Sequence, residues 1–240
     1  MSATPAITQH HWAPFLPMVK AVELVARGKR VLEVGPGYTP FAPASVFVDH
    51  DPPPRLAGLE VHAIDVSMEP LPFPDHSFDF VYCRHTLEDL HNPIFVCREM
   101  ARVARAGYIE TPSPLAECAR GVDGGSPQWR GYAHHRYIAW VEDGTLLFLP
   151  KYPIIECLDF GAAEAVFVDG LNAGPMFWNT HFFWEGALPC RMLPDPTGFR
   201  LREDYGPLIL RAAQHCLAQT AAMTEELLRK AGALEQSVAS

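Results

Sequence analysis

The chain has 240 residues, of which 48% are hydrophobic and 20% are charged, and its formal net charge is −9 at pH 7. A globular protein with a sizeable core has this composition. The 19 basic residues against 28 acidic ones exclude the basic footprint that nucleic-acid binding needs, so we expect no nucleic-acid partner. No apolar run approaches the length of a membrane span, and residues 1–11 lack signal-peptide features. We therefore expect a cytoplasmic protein with no membrane association.

The six cysteines are scattered without a Cys-x-x-Cys pair, which indicates neither a zinc ribbon nor a disulfide framework. No Gly/Ser linker, charge run or repeat divides the sequence. We therefore expect one domain over residues 1–240.

The first predicted elements are a helix and a strand that runs into a glycine turn. Residues 15–27 have the spacing of an amphipathic helix, and the strand and turn follow at 30–40. Gly35 and Gly37 allow the backbone to turn sharply against a ligand, and Glu33 offers a carboxylate at the strand end. Because Pro40 stands where the dinucleotide fingerprint has its third glycine, the turn disfavours a nicotinamide dehydrogenase.

The next predicted strands each end near a polar side chain. The run at 45–48 ends in Asp49, and the run at 59–64 ends in Asp65. Carboxylates at the carboxyl ends of parallel strands can accept hydrogen bonds from a ribose diol. A fourth strand, ending at residue 83, is followed closely by His85.

The later chain continues the alternation of strands and helices and then becomes less regular. The alternation predicts a doubly wound α/β fold with a mostly parallel sheet. The irregular segment 117–128 is predicted to be a loop over the substrate. The last helix is expected either to pack on the sheet or to form a homodimer contact. The other expected elements are a helix at 93–103, strands at 106–110, 146–149 and 175–185, and the last helix at 207–234.

The succession over about residues 30–112 resembles the class I S-adenosylmethionine-dependent methyltransferases, especially the branch with a Leu-Pro-Phe-x-Asp-x-Ser-Phe-Asp run, here residues 71–79, before strand four. The resemblance implies S-adenosylmethionine as cofactor and a Rossmann-like, mostly parallel sheet of seven strands. It also implies a cofactor-binding half at about 15–112 and a substrate or lid half at 113–240.

The resemblance also implies roles for individual residues. Pro36 and Pro40 depart from the pattern, because proline removes backbone donors that would cradle the cofactor carboxylate. Glu33, Gly35 and Gly37 are implied to hold the methionine part, Asp49 (or Asp51, if the strand ends later) the ribose, Asp65 and Val66 the adenine, and His85 a place near the transferred methyl.

Methyl transfer needs a positioned nucleophile and a group that removes its proton. Histidine side chains can accept a proton near neutral pH, so the acid–base candidates are His85, His134, His135 and His181. Glu110 is expected to be a second base or a structural anchor. Residues 129–140 interleave aromatic and basic side chains and form either a substrate platform or a packed strand; there we predict that Arg130, Tyr132 and Arg136 bind substrate.

The sequence thus favours methyl transfer to an oxygen or nitrogen atom of a small-molecule acceptor. We assign no metal ligand, although His85, Glu110, His134, His135 and His181 include residue types that bind zinc, iron or manganese. Two alternatives stay open: an S-adenosylmethionine-binding fold with other acid–base or metal chemistry at this His/Glu cluster, and a noncatalytic partner.

Overall fold

The computed structural model describes residues 6–8, 14–194 and 198–238, the last eight of these as backbone only. Its main sheet has six strands in the order β3-β2-β1-β4-β5-β8. The first five strands of the chain run parallel, and β8 runs antiparallel to β5. The strands are β1 Val31–Val34, β2 Val46–Asp49, β3 Glu60–Ala63, β4 Phe80–Arg84, β5 Ala106–Pro112 and β8 Asn179–Glu185.

The register of the sheet brings polar residues together at the carboxyl ends of the central strands. Glu33 in β1 pairs with Tyr82 in β4, and Arg84 pairs with Glu110 in β5. Glu110 in turn lies opposite His181 in β8. Register partners share a face of the sheet, so these side chains point to the same side.

The prediction of a parallel α/β sheet is confirmed, but the predicted seven strands are six. Past β5, the chain forms a separate sheet in the order β6-β7-β9, from β6 Tyr137–Glu142, β7 Thr145–Pro150 and β9 Cys190–Met192. The two-residue turn Asp143-Gly144 has positive φ at both positions, as a tight hairpin turn requires.

The strands of this hairpin are apolar on both faces, so the hairpin packs between two hydrophobic cores. Ala139 and Phe148 pack into the core of the main sheet, while Trp140 and Leu147 pack into a second core with the helices of the later chain. The predicted strand at 146–149 therefore exists but belongs to the second sheet. The predicted strand at 175–185 is a 3₁₀ turn over Pro175–Trp178, followed by β8.

Helices cover both faces of the main sheet. Near residues 93–103 the prediction holds, because the Asn92 side chain caps the helix and Pro93 occupies its first turn. The last helix begins six residues before the predicted start and contains Pro207. The helix α4 was not predicted, and α3 includes the start of the predicted irregular segment. The helices are α1 Leu16–Ala26, α2 Pro93–Val103, α3 Pro114–Cys118, α4 Ala163–Asn172 and α5 Leu201–Val238.

The connection from β1 to β2 contains no helix across residues 35–45. The turn is held instead by local bonds: the Gly35 N–H donates to the Val48 carbonyl at 2.9 Å, and the Phe41 N–H donates to Glu33 Oε2 at 2.8 Å. A loop, not a helix N-terminus, therefore borders the edge where a cofactor is expected. In the part of the chain that the structure describes, no helix has the length and apolarity to cross a membrane.

Candidate functional site

The glycine turn after β1 is shaped by the side chain of Thr86. Gly35 has φ +70°, and a Cβ there would lie 2.2 Å from Thr86 Oγ1. Gly37 has φ +48°, and a Cβ there would meet no atom within 4 Å. Gly35 is therefore required for packing against the β4 end, whereas Gly37 borders open space that a ligand can enter.

Glu33 lies under this loop with 2% of its surface exposed. Burial raises the pKa of its carboxyl to about 7, against the lowering effect of the hydrogen bond from Phe41. The aromatic ring of Phe41 stacks on Tyr82 at 4.0 Å between centroids and holds the loop down. Because its titration falls near neutrality, Glu33 is sensitive to any charged group that binds beside the loop.

Asp49 and Asp65 lie at the carboxyl edge, at the ends of the second and third strands. Each side chain caps a turn of its own backbone: Asp49 Oδ1 accepts from the Asp51 N–H at 3.0 Å, and Asp65 Oδ1 accepts from the Ser67 N–H at 2.9 Å. Both residues are partly exposed, and each turn uses one carboxylate oxygen. The other oxygen can accept from a ligand. Val66, beside Asp65, is buried in the main core.

Glu110 is the centre of a buried polar network. Its Oε1 accepts from Arg84 Nε at 2.8 Å and from Asn179 Nδ2 at 2.9 Å, and its Oε2 accepts from the Tyr108 hydroxyl at 2.5 Å. The same hydroxyl lies 2.7 Å from His181 Nδ1. Because that hydroxyl gives its proton to Glu110, the contact needs a proton on Nδ1.

Burial alone would raise the pKa of Glu110, but its bonds with His181 and His85 and the charge of Arg84 outweigh burial and hold the pKa well below its usual range. A carboxylate with so low a pKa is a weak proton acceptor. These contacts argue against the predicted role of Glu110 as a base and favour its role as an anchor.

His85 follows β4 directly and connects two buried carboxylates. Its Nε2 lies 3.5 Å from Glu110 Oε1 and its Nδ1 lies 3.5 Å from Glu88 Oε1. Burial would lower the pKa of His85, but these two carboxylates outweigh it and raise the pKa to about 9. The backbone of His85 has φ +49°, a conformation that costs a non-glycine residue about 1–2 kcal/mol and that recurs at functional sites.

His135 belongs to a second cluster beside the first. Its Nδ1 donates to Glu117 Oε1 at 2.6 Å, and Glu117 Oε2 accepts from Lys151 Nζ at 2.7 Å. Burial works to lower the pKa of His135, but the bond to Glu117 outweighs it and raises the pKa. The ring of the exposed His134 lies 4.4 Å from that of His135, and His135 Nε2 lies 3.9 Å from Asp89 Oδ1.

Glu88 and Asp89 occupy the turn between the two clusters. Glu88 is 1% exposed, and neither of its carboxylate oxygens has a hydrogen-bond partner among the described protein atoms; its nearest ionic partner is His85. The Glu88 carbonyl accepts from the Arg136 N–H at 2.8 Å, which ties this turn to the start of β6. The site thus joins residues from both halves of the chain.

The three residues predicted to bind substrate differ in their surroundings. Arg130 is 2% exposed and donates all five of its guanidinium N–H groups to Glu164 and to the backbone carbonyls of Cys118, Ile155 and Leu158. These bonds occupy the whole guanidinium group and argue against the predicted substrate role. Tyr132 packs on His135 at 4.5 Å between ring centroids, and the exposed Arg136 donates from Nε to the Asp89 carbonyl at 2.9 Å.

Sequence reasoning missed three acidic residues of this site. Glu88 and Asp89 follow the fourth strand within a few residues, and that spacing was the available signal. Glu117 gave no signal, because its place depends on how α3 folds back against Lys151.

Comparisons with known proteins find a family match for part of the chain. Residues 23–109, just over a third of the chain, match the family model described as a methyltransferase domain. No curated protein matches the chain.

Three similar solved structures illustrate how far the likeness extends. A SAM-dependent methyltransferase from Thermotoga maritima, described as a possible histamine N-methyltransferase, is 23% identical, with 44% of this chain and 55% of that chain covered and a TM-score of 0.36. An S-adenosylmethionine-dependent methyltransferase from Mesorhizobium loti is 16% identical, with 57% and 64% covered and a TM-score of 0.36. The N-terminal domain of EvdMO1, with SAH bound, is 18% identical, with 40% and 48% covered and a TM-score of 0.31.

This chain therefore spans about half to two thirds of the length of these three structures, and the assignment depends on the family model and the motifs. Residues 23–109 therefore match a methyltransferase domain. S-adenosylmethionine is the cofactor of the class I methyltransferases that the motifs of this segment resemble. The open space at Gly37 and the fixed carboxylates of Asp49 and Asp65 fit this group at the carboxyl edge.

Proposed function

We propose that this protein transfers a methyl group from S-adenosylmethionine to an oxygen or nitrogen atom of a small-molecule acceptor. The observation that carries the proposal is the position of His85. It lies at the same sheet edge as the glycine turn and is held between the carboxylates of Glu88 and Glu110. When bound, S-adenosylmethionine supplies an activated methyl group for in-line displacement.

The residues that hold the cofactor lie along this edge. Glu33, Gly35 and Gly37 border the methionine part, Asp49 accepts from the ribose hydroxyls, and Asp65 with the neighbouring Val66 borders the adenine. Asp51 is the alternative to Asp49, because the two lie in one turn. Carboxylates already fixed by their own turns accept a ligand's hydroxyls with little loss of side-chain freedom.

His85 is the leading candidate to take the acceptor's proton. Its raised pKa of about 9 makes the neutral ring a strong base but a minor species near neutrality. Glu110 and Glu88 stabilise the imidazolium that forms when the ring accepts a proton. His134 and His135 remain second candidates on the same edge.

The acceptor is expected to be a small molecule in contact with the second half of the chain. Tyr132 offers an aromatic face, and Arg136 is an exposed cation fixed next to the site. An acidic chain with few basic residues favours a small metabolite over nucleic acid. A single domain over 1–240, in a cytoplasmic protein, completes the proposal, with the second half as the substrate half.

Calorimetric titration with S-adenosylhomocysteine, the demethylated product, tests the cofactor part without knowledge of the acceptor. Saturable one-to-one binding is expected. A screen of hydroxylated and amino acceptors with labelled S-adenosylmethionine then tests transfer. Absence of binding would contradict the proposal and favour the noncatalytic alternative.

The second candidate function is different chemistry on the same cofactor-binding fold. The buried acid–base groups from His181 through Glu110 to Glu88 favour it, because methyl transfer to an already ionised acceptor does not require them. Binding of the cofactor with no transfer to any acceptor, together with turnover that depends on these groups, would favour this alternative.

A further inference from the structure

The cluster around His135 has the geometry of a metal site, a role separate from that of His134 and His135 as second candidates for the base. Asp89, His134 and His135 each offer one ligand atom, and these atoms all lie within 4.8 Å of one another. In tetrahedral zinc sites, with metal–ligand bonds of about 2.0–2.2 Å, the donor atoms are about 3.3 Å apart. Small side-chain rotations at the exposed His134 would close the remaining gap.

The hydrogen bonds of His135 are those of a metal ligand. Metal-bound histidines usually donate their second N–H to a carboxylate, which fixes the ring and its tautomer. Here Nδ1 donates to Glu117 Oε1 at 2.6 Å, and Glu117 is fully buried and held by Lys151. The proton on Nδ1 leaves Nε2 for coordination, and Nε2 is the atom that faces Asp89 at 3.9 Å.

Asp89 also has an atom available for coordination. Its Oδ1 is buried, and among the described protein atoms it has no hydrogen-bond partner. A buried polar oxygen without a partner is costly unless something binds it. The side chain as a whole is 42% exposed, so a cation can reach it from solvent.

The nearby charges favour a cation. The carboxylates of Glu88, Asp89 and Glu117 lie in one stretch of the site. His85 lies 3.5 Å from Glu88 and Lys151 lies 2.7 Å from Glu117, which leaves the carboxylate of Asp89 for a bound cation. Two adjacent histidines can bind the same ion only where the backbone is irregular. Residues 131–136, between α3 and β6, are irregular, so His134 and His135 can bind one ion together.

We propose that Asp89, His134 and His135 bind one divalent cation of the zinc type. Two imidazoles and a carboxylate are a donor set that suits zinc, and three protein ligands leave a fourth position open at the sheet edge. The test of metal binding does not depend on the proposed methyl transfer, because it needs neither cofactor nor acceptor.

The test uses the full chain without a histidine tag, stripped with a chelator and titrated with Zn²⁺ at about pH 8, where protons compete less for the ligands. One Zn²⁺ per chain is expected. Asp89→Asn and His134→Ala change partly or fully exposed side chains, and each is expected to weaken binding at least about tenfold. His76→Asn, on an exposed turn before β4 at the other edge, is the control and is expected to bind as the wild type does.

Absence of saturable uptake by the wild type, or equal uptake by both variants, would overturn the proposal. A second measurement keeps the test decisive if a variant fails to fold. Co²⁺ added to the stripped wild-type protein is expected to give the strong visible absorption of a four-coordinate site. A weak spectrum like that of aqueous Co²⁺ would also overturn it.

Discussion

Glu110 and His85 face each other across neighbouring strand ends, with 3.5 Å between Glu110 Oε1 and His85 Nε2 and a 2.8 Å hydrogen bond from the His85 N–H to the Glu110 carbonyl. The pair is fixed through both backbone and side chain. Its effect is to hold a proton on His85, because the carboxylate stays ionised while the imidazole pKa rises to about 9.

If His85 is the base, the rate of methyl transfer should rise with pH and level off above about 9. His85→Gln should lower turnover at least about a hundredfold, the usual contribution of a general base, and leave S-adenosylhomocysteine affinity nearly unchanged. Turnover against pH and calorimetry check the two parts. A variant that keeps the wild-type rate would remove His85 from the mechanism.

The same pKa shift predicts how stability depends on pH. The folded-state pKa of about 9 exceeds the ordinary value of 6.5, so His85 contributes its full stabilisation below about 6.5 and loses it as the pH rises through about 9. The loss amounts to about 3 kcal/mol. Urea unfolding of the wild type and His85→Gln across this window measures it; a constant difference between them would contradict the shift.

Asp49→Ala is expected to weaken S-adenosylhomocysteine binding by more than about tenfold, the scale of a lost charge-assisted hydrogen-bond pair. Asp51→Ala is the matched control in the same turn, where only the backbone N–H of Asp51 is used by Asp49. Calorimetric titration of both variants decides between them. Should Asp51→Ala cause the larger loss, the ribose role would move to Asp51.

The sequence was informative wherever a local pattern determined the structure. Strand β1 and its turn were predictable, because an apolar run predicts a buried strand and glycine tolerates the positive φ that the turn requires at Gly35 and Gly37. The contacts of Arg130 were not predictable, since they depend on Glu164 and on three carbonyls brought in by long-range packing. The second sheet was missed for the same reason: strands apolar on both faces do not reveal which core they join.

Arg130 and Arg136 separate a structural arginine from a substrate-binding one. Arg130→Met removes a buried ion pair and should lower the free energy of unfolding by about 3–5 kcal/mol. Arg136→Met changes an exposed side chain and should cost less than about 0.5 kcal/mol while raising KM for an anionic acceptor. Chemical denaturation and steady-state kinetics measure the two effects. A raised KM with unchanged stability in Arg130→Met would restore its predicted substrate role.

Gly35→Ala should destabilise the fold, because its Cβ would overlap Thr86 at 2.2 Å and the backbone there has φ +70°. We expect a loss of at least about 3 kcal/mol from overpacking and backbone strain together. Gly37→Ala is the control, because Gly37 has φ +48° and a Cβ there would meet no atom within 4 Å. Its free energy of unfolding should fall only by about 1–2 kcal/mol, the cost of a left-handed backbone at a non-glycine residue. Because Gly37 borders the open space, Gly37→Ala should nevertheless weaken cofactor binding.

Adding Thr86→Ala to Gly35→Ala should recover part of the lost stability. Urea denaturation of the four variants, including Thr86→Ala alone, measures the coupling between Gly35 and Thr86. Equal losses at the two glycines, with no recovery in the double variant, would show that Thr86 does not shape the turn.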